Sequence, residues 1–349
     1  MEKAVNVGLV GFGLSGRVFH APFINANAGL NLCKVVERHS AKSREIYPQV
    51  EVVKDISELL EDEKIDLVVV TTPNRLHYEM AEQALKTGKH VVLEKPFTLT
   101  SREGKDLIEL ARREKRILTV YQNRRWDGDY LTVRKIIKNK WVGDPVEYEA
   151  HFDRFKDHVK PDAWKESAEP GAGILYDLGP HLIDQALQLF GRPKTVTADI
   201  RIQRSASKAD DYFEIVLEYG YLKATLKAGM LVRENGPHFI LHGTRGSFIK
   251  YGMDPQEAAL RKDIPVQNEN WGAESEEMWG ILNTRIDGLH LRGKIETLPG
   301  SYQSFYQNLA EAIAEGEEAA VKPEEALDVI RVIELARQSS TEQRAVLFK

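Results

Sequence analysis

Near the start of the chain, Gly11-Phe12-Gly13-Leu14-Ser15-Gly16 follows a β-branched run from Val5 to Val10 and precedes the amphipathic stretch Arg17 to Asn27. Strand, glycine turn and helix in that order can cradle a dinucleotide pyrophosphate. The first glycine permits the tight turn, the second lets the ligand approach the main chain, and the third lets helix pack closely on strand. Amides at the helix start then hold the phosphates. A second strand, Leu32 to Val36, ends in Glu37-Arg38-His39, about twenty residues on, where a ribose would lie. Glu37 would accept hydrogen bonds from free 2′- and 3′-hydroxyls and refuse a 2′-phosphate, whereas Arg38 would pair with that phosphate. The two also read simply as solvated strand-end charges. The balance falls slightly toward NADP over NAD.

Two further constellations could do proton chemistry. Lys95, between Glu94 and Pro96, ends the strand His90 to Leu93, where an ammonium is costly to desolvate without a partner or a task. Pro96 fixes the local backbone and is a place for a cis bond. Asp177 and His181 lie four apart at the start of a helix, with Pro180 suited to its first turn and Asp177 at the cap position. A neutral histidine can take a hydroxyl proton near neutral pH, and a neighbouring carboxylate fixes its tautomer. The same pair also reads as an N-cap aspartate beside a structural histidine. No third residue offers zinc-like spacing, so no metal is expected.

The elements that must position these residues alternate in the first third of the chain. Helix Ile56 to Leu60, strand Ile65 to Val70, helix Leu76 to Thr87 with Gly88 after it, strand His90 to Leu93, helix Ser101 to Glu114 with Ser101 as cap, and strand Ile117 to Tyr121 follow one another. Unbroken β-branched runs suit a parallel sheet covered on both faces, and ligands of such sheets sit at the carboxyl ends of strands. Thr71-Thr72-Pro73-Asn74, Glu94 to Pro96 and Gln122 fall at those ends. Beyond a helix from Tyr130 to Lys140, strands dominate: Val146 to Arg154, Thr195 to Arg204, Tyr212 to Tyr219, Leu222 to Leu231 and Phe239 to Gly243. Short turns between them imply an antiparallel or mixed sheet. Gly252 to Gly300 reads as loops around short elements, and a helical pair, Tyr302 to Glu315 and Pro323 to Ser339, closes the chain. The expected organisation is a dinucleotide-binding Rossmann domain over residues 1–122 and a second domain over 123–349 built on an antiparallel or mixed sheet.

Composition narrows the function classes. The 349 residues suit two domains, and 48 Lys plus Arg against 53 Asp plus Glu give a net charge of -5, no field for a nucleic acid. No apolar run approaches the ~18 residues of a membrane helix. A strand begins almost at once and leaves no room for a cleavable signal, so a cytoplasmic protein is expected. The single cysteine, Cys33, sits in an apolar stretch and reads as core filler.

GFGLSG, FHAP, TTPNRLH, EKP, NRRWD, GAGILYDLGPHLIDQ and HGTRGSFIKYGMDPQE together resemble the Gfo/Idh/MocA family, in motifs closest to its branch of NADP-dependent scyllo-inositol dehydrogenases. The resemblance spans almost the whole chain. It implies a C-terminal α/β domain with a large open, mainly antiparallel sheet, hydride transfer between nicotinamide C4 and a ring secondary alcohol of a polyol or sugar, homodimers or homotetramers, and a catalytic set carried by Lys95, Asp177 and His181. The dinucleotide would meet the glycine turn, Glu37, Arg38, Thr71 to Asn74, His77, Glu94, Lys95 and Gln122, with Trp164 and Lys165 reaching it from the second domain. Trp126, Arg154 and Tyr176 would join Lys95, Asp177 and His181 around the substrate. Two departures stand out: Gly171-Ala172-Gly173 replaces a triple glycine, and Glu37 occupies a position often small or neutral in NADP-preferring relatives. The competing class is a nucleotide-bound sensor on the same fold, against which the retained acid-base set argues.

Overall fold

The computed structural model describes residues 4–160 and 163–349, which form two compact units. The first comprises residues 4–123, 256–271 and 301–327. Its sheet contains β1 (Val5–Val10), β2 (Leu30–Val36), β3 (Glu51–Val53), β4 (Leu67–Val70), β5 (His90–Leu93) and β6 (Leu118–Val120). Their order is β3-β2-β1-β4-β5-β6 and every pairing is parallel. In β4 the side chains on both faces are covered: Leu67, Val68, Val69 and Val70 are all fully buried, which is why the strand carries no polar position. The order reverses between β1 and β4, which opens a crevice at their carboxyl ends. Later segments fold back onto this unit. Gln256 accepts hydrogen bonds from Trp271 Nε1 (3.0 Å) and Tyr302 N (2.7 Å), and Thr119 Oγ1 donates to Val321 O (2.8 Å).

The second unit comprises residues 124–160, 163–255, 272–300 and 328–349. Its sheet contains β7 (Pro145–His151), β8 (Thr195–Arg201), β9 (Tyr212–Glu218), β10 (Lys223–Gly229), β11 (Phe239–Gly243), β12 (Gly246–Lys250), β13 (Gly280–Ile286), β14 (Leu289–Ile295) and β15 (Val346–Leu347). The order is β14-β13-β12-β11-β7-β10-β9-β8-β15, and only β7 and β10 run parallel. Alternation decides the faces: Phe213, Ile215 and Leu217 of β9 and Ala224 and Leu226 of β10 are fully buried, and the helix Gly179–Phe190 packs against this sheet.

Several expectations need correction. Arg17 to Asn27 is not one regular helix: a π turn, Gly16–His20, leads into a short α-helix, Ala21–Ala26. Pro22 lacks an N–H and its ring crowds the carbonyl four residues back, so the backbone widens there. Thr100, not Ser101, caps the helix Ser101–Glu114. Its side chain accepts from Glu103 N while the Glu103 carboxylate accepts from Thr100 N, a reciprocal box that Ser101 and Gly104 could not make. The 252–300 region holds the hairpin β13–β14 as well as loops. Cys33 is half-buried rather than core, its Sγ 3.3 Å from Asn6 Oδ1. Among the described residues, no helix is long and apolar enough to cross a membrane and no group of three His, Cys, Asp or Glu side chains could hold a metal.

Candidate active site

In the first unit the glycine turn leaves the end of β1, and each glycine has its own reason. Gly11 has φ +100°, outside the range L side chains favour, and a Cβ on Gly16 would lie 2.2 Å from Gly11 O. At Gly13 a Cβ would meet nothing within 4 Å, so the main chain there faces open space. Phe12 is turned inward and Leu14 outward. Thr71, at the end of β4, ties the turn down by donating from Oγ1 to Val10 O and Gly11 O, both at 3.0 Å. Thr72 and Pro73 lead to the buried Asn74. His77 is buried too, its ring nitrogens facing Pro96 O (2.9 Å) and Thr72 O (3.1 Å); it braces these strand-end loops from within the protein.

Glu37 and Arg38 part company. The Glu37 carboxylate turns back into its own loop, accepting from Ser43 N (2.8 Å), Lys42 N (3.1 Å) and the Ser40 hydroxyl. Burial alone would raise its pKa, but these donors hold it below the ordinary carboxylate value. Arg38 beside it is exposed.

At the end of β5, Glu94 gathers three elements. Its Oε1 meets His20 Nε2 at 3.0 Å and the Ser15 hydroxyl of the glycine turn, and its Oε2 accepts from Lys95 N at 2.9 Å. His20 is fully buried and its Nδ1 lies 2.5 Å from Tyr306 Oη. Burial opposes ionisation of Glu94, yet hydrogen bonding and charge from His20, with Lys95 and Ser15, bring its pKa to about 2. The Lys95–Pro96 bond is cis. Gln122, past the end of β6, is buried, and its Oε1 has no hydrogen-bond partner among the described residues. Open main chain at Gly13 and an unsatisfied buried carbonyl at Gln122 fit a dinucleotide laid across these strand ends.

In the second unit a single helical turn, Ile174–Asp177, precedes the helix Gly179–Phe190. Asp177 therefore ends the short turn and does not cap the longer helix. The cap work falls to Asp210, which the sequence did not single out: its Oδ2 accepts from Leu175 N (2.7 Å) and its carbonyl from Ile174 N (2.9 Å). Gly173, φ +90°, gives Asp210 room, since a Cβ there would lie 2.4 Å from its Oδ1. Lys165, expected at the cofactor, has a partner in its own unit: its Nζ donates to Asp177 Oδ1 at 2.6 Å. Trp164, on the same 3₁₀ turn, has its ring centroid 5.8 Å from that ammonium.

His181 is buried, and its ring stacks on Phe152 with centroids 6.2 Å apart. The guanidinium carbons of Arg124 and Arg154 each lie 4.9 Å from that same Phe152 centroid. Phe152 was legible only as one more strand residue. One turn beyond His181, Asp184 accepts a fork from Arg125, Nε at 2.8 Å and Nη2 at 2.6 Å, which fixes the helix rotation. Arg154, Trp164, Lys165 and Asp177 share the wall of a cleft of about 250 Å³. Half-buried Trp126, buried Tyr176 beneath Arg337, and His181 lie outside that wall.

A doubly wound parallel sheet carrying this glycine turn is the architecture of a dinucleotide-binding Rossmann domain. The NAD-binding Rossmann fold of the oxidoreductase family GFO_IDH_MocA matches residues 5–122, and that family's C-terminal alpha/beta domain matches residues 134–348. The chain belongs to the Gfo/Idh/MocA oxidoreductase family. It is 42% identical to scyllo-inositol 2-dehydrogenase (NADP(+)) IolW of Bacillus subtilis over 99% of this chain and 96% of that one. Among solved structures, the oxidoreductase yvaA of Bacillus subtilis superposes with TM-score 0.97 at 40% identity, covering 100% of this chain and 99% of that one. An oxidoreductase of Bacteroides fragilis gives 0.91 at 46%, covering 99% and 100%.

Proposed function

We propose that the chain is an NADP-dependent dehydrogenase of a cyclic polyol or sugar, with scyllo-inositol the first candidate. The reading is carried by the full-length similarity to the Bacillus subtilis enzyme, whose alcohol and cofactor are both named. The withdrawal of Glu37 into its loop supports the cofactor preference, because the position that could refuse a 2′-phosphate presents an exposed Arg38 instead. Gly11, Gly13, Gly16, Ser15 and Thr71 to Asn74 would hold the pyrophosphate side, and Glu94, Lys95 and Gln122 the nicotinamide side. When bound, the nucleotide supplies the hydride acceptor. Lys95 is assigned to hydrogen-bond the reacting oxygen, His181 to take the hydroxyl proton, and Asp177 to orient His181 and the substrate. Arg154, Trp164 and Lys165, which line the cleft beside Asp177, are assigned to the substrate wall, and Trp126 and Tyr176, which lie outside that cleft, are not.

The test is a matrix of NAD and NADP against scyllo-inositol, myo-inositol, glucose and an inosose, followed by reduced-nicotinamide absorbance. Reduction of NADP by scyllo-inositol well ahead of other pairs is expected. Tight NADP binding without oxidation of any alcohol would replace this reading with the sensor.

A further inference from the structure

The cleft beside Asp177 has an electrostatic character that a neutral polyol does not call for. Residues 152–156 run alongside the end of β10, with Phe152 N on Lys227 O, Arg154 N on Gly229 O and Lys156 N on Met230 O, at 2.8 to 2.9 Å. Extended backbone sends alternate side chains the same way, so Arg154 and Lys156 both line the cleft, and His158 and Lys160 continue its wall. The segment is held from beneath. Arg204, almost wholly buried, donates to Asp211 Oδ2 (2.9 Å), pairs with Glu166 (3.2 Å) and donates to His158 O (3.0 Å).

The acids of the same wall are already engaged: Glu166 by Arg204, Asp177 by Lys165, and Asp210 by Leu175 N and Arg337. Lys156 and Lys160 enter no ion pair among the described residues. Both lysines are exposed; partial desolvation, then the like charges of Arg154 and Lys160, push the Lys156 ammonium below its ordinary pKa against the opposing pull of Asp177 and Glu166. The Lys156 and Lys160 ammonium groups and the Arg154 guanidinium line one cleft with like charge, and an anion placed among them relieves their repulsion. A volume of about 250 Å³ is small for a ligand pocket and suits one ring with one substituent.

We infer, on the reading of the chain as a polyol or sugar dehydrogenase, that this cleft is an anion subsite through which the enzyme takes, beside scyllo-inositol, sugars that carry a carboxylate or a phosphate. Lys156, Lys160 and Arg154 hold that group.

The experiment compares scyllo-inositol and glucose with glucuronate and glucose 6-phosphate, using NADP at low ionic strength, in wild type and in a Lys156→Gln/Lys160→Gln double variant. In wild type, kcat/KM for one anionic sugar exceeds that for glucose by about tenfold or more, and the double variant loses most of that ratio. The glucuronate and phosphate arms tell which anion is meant. Oxidation of the neutral alcohols with no anionic advantage, or a ratio unchanged in the variant, overturns the subsite while the dehydrogenase reading stands. If no alcohol is oxidised, the substrate reading fails. The subsite is then decided by thermal shifts with glucuronate and inorganic phosphate: a rise in wild-type Tm absent from the variant supports it, and equal behaviour overturns it.

Discussion

The Glu37 carboxylate accepts from Ser43 N at 2.8 Å, so the acid that ends β2 is spent on its own loop. A carboxylate held this way is turned from a 2′-phosphate, and the proposed NADP preference rests on Arg38 beside it. Arg38→Ala is therefore expected to raise the KM for NADP about tenfold or more while changing that for NAD about twofold or less. Equal losses would remove Arg38 from the phosphate site. Glu37→Ala leaves three donors without their acceptor and is expected to cost about 1–3 kcal/mol of stability, read by denaturant unfolding, without converting the enzyme to NAD.

Gly13 and Gly16 separate binding from folding. A methyl on Gly13 meets only open space, so Gly13→Ala is expected to keep the wild-type Tm within a degree or so while weakening NADP, measured by fluorescence titration, by about tenfold or more. A methyl on Gly16 meets Gly11 O at 2.2 Å, so Gly16→Ala is expected to lower Tm and binding together. A Gly13→Ala protein that binds NADP normally would move the pyrophosphate elsewhere.

The contrast between what was legible and what was not follows sequence distance. The parallel sheet shows in unbroken runs such as Leu67 to Val70 because burial on both faces leaves no polar position. The candidates Asp177 and His181 stand out by their four-residue spacing, and the structure divides them between the turn Ile174–Asp177 and the helix Gly179–Phe190. Their supports do not show. Asp210 lies 35 residues from the Leu175 amide it accepts, and His20 lies 74 residues from Glu94 and 286 from Tyr306. Such partners are brought together only by tertiary packing. The β13–β14 hairpin was missed although its signals are local: the Asp287-Gly288 turn has both residues at positive φ, and Leu289, Leu291 and Ile295 alternate with His290, Arg292 and Lys294, on a strand that stays largely exposed.

Glu94 links the glycine turn to the lysine of the proposed catalytic set, and its ionisation stabilises the fold. A pKa of about 2 against an ordinary 4.5 corresponds to about 3 kcal/mol. Because the folded value is the lower one, that stability is present above the unfolded value and is lost as pH falls toward 2. Glu94→Gln should thus be less stable than wild type at pH 7 by a few kcal/mol in urea unfolding, with the gap shrinking steadily below pH 4.5. Since Ser15 and the Lys95 amide both rest on this carboxylate, KM for the cofactor should rise in the same variant. A gap independent of pH would mean that Glu94 acts through packing alone.

The Lys165–Asp177 pair has the opposite balance of stability and function. Lys165 is about half exposed, and an ion pair so placed contributes little, about 0–1 kcal/mol, to folding. Its geometric effect is larger, because at 2.6 Å it fixes one oxygen of the carboxylate assigned to orient His181. Lys165→Met is expected to leave Tm within about a degree and to lower kcat about tenfold to a hundredfold, with Lys165→Arg restoring much of it. Asp177→Asn should fall further still, because the asparagine cannot serve as an anionic partner to an imidazolium. A Lys165→Met enzyme with unchanged kcat but a raised substrate KM would place the lysine on the substrate, and one with a raised cofactor KM would return it to the nicotinamide.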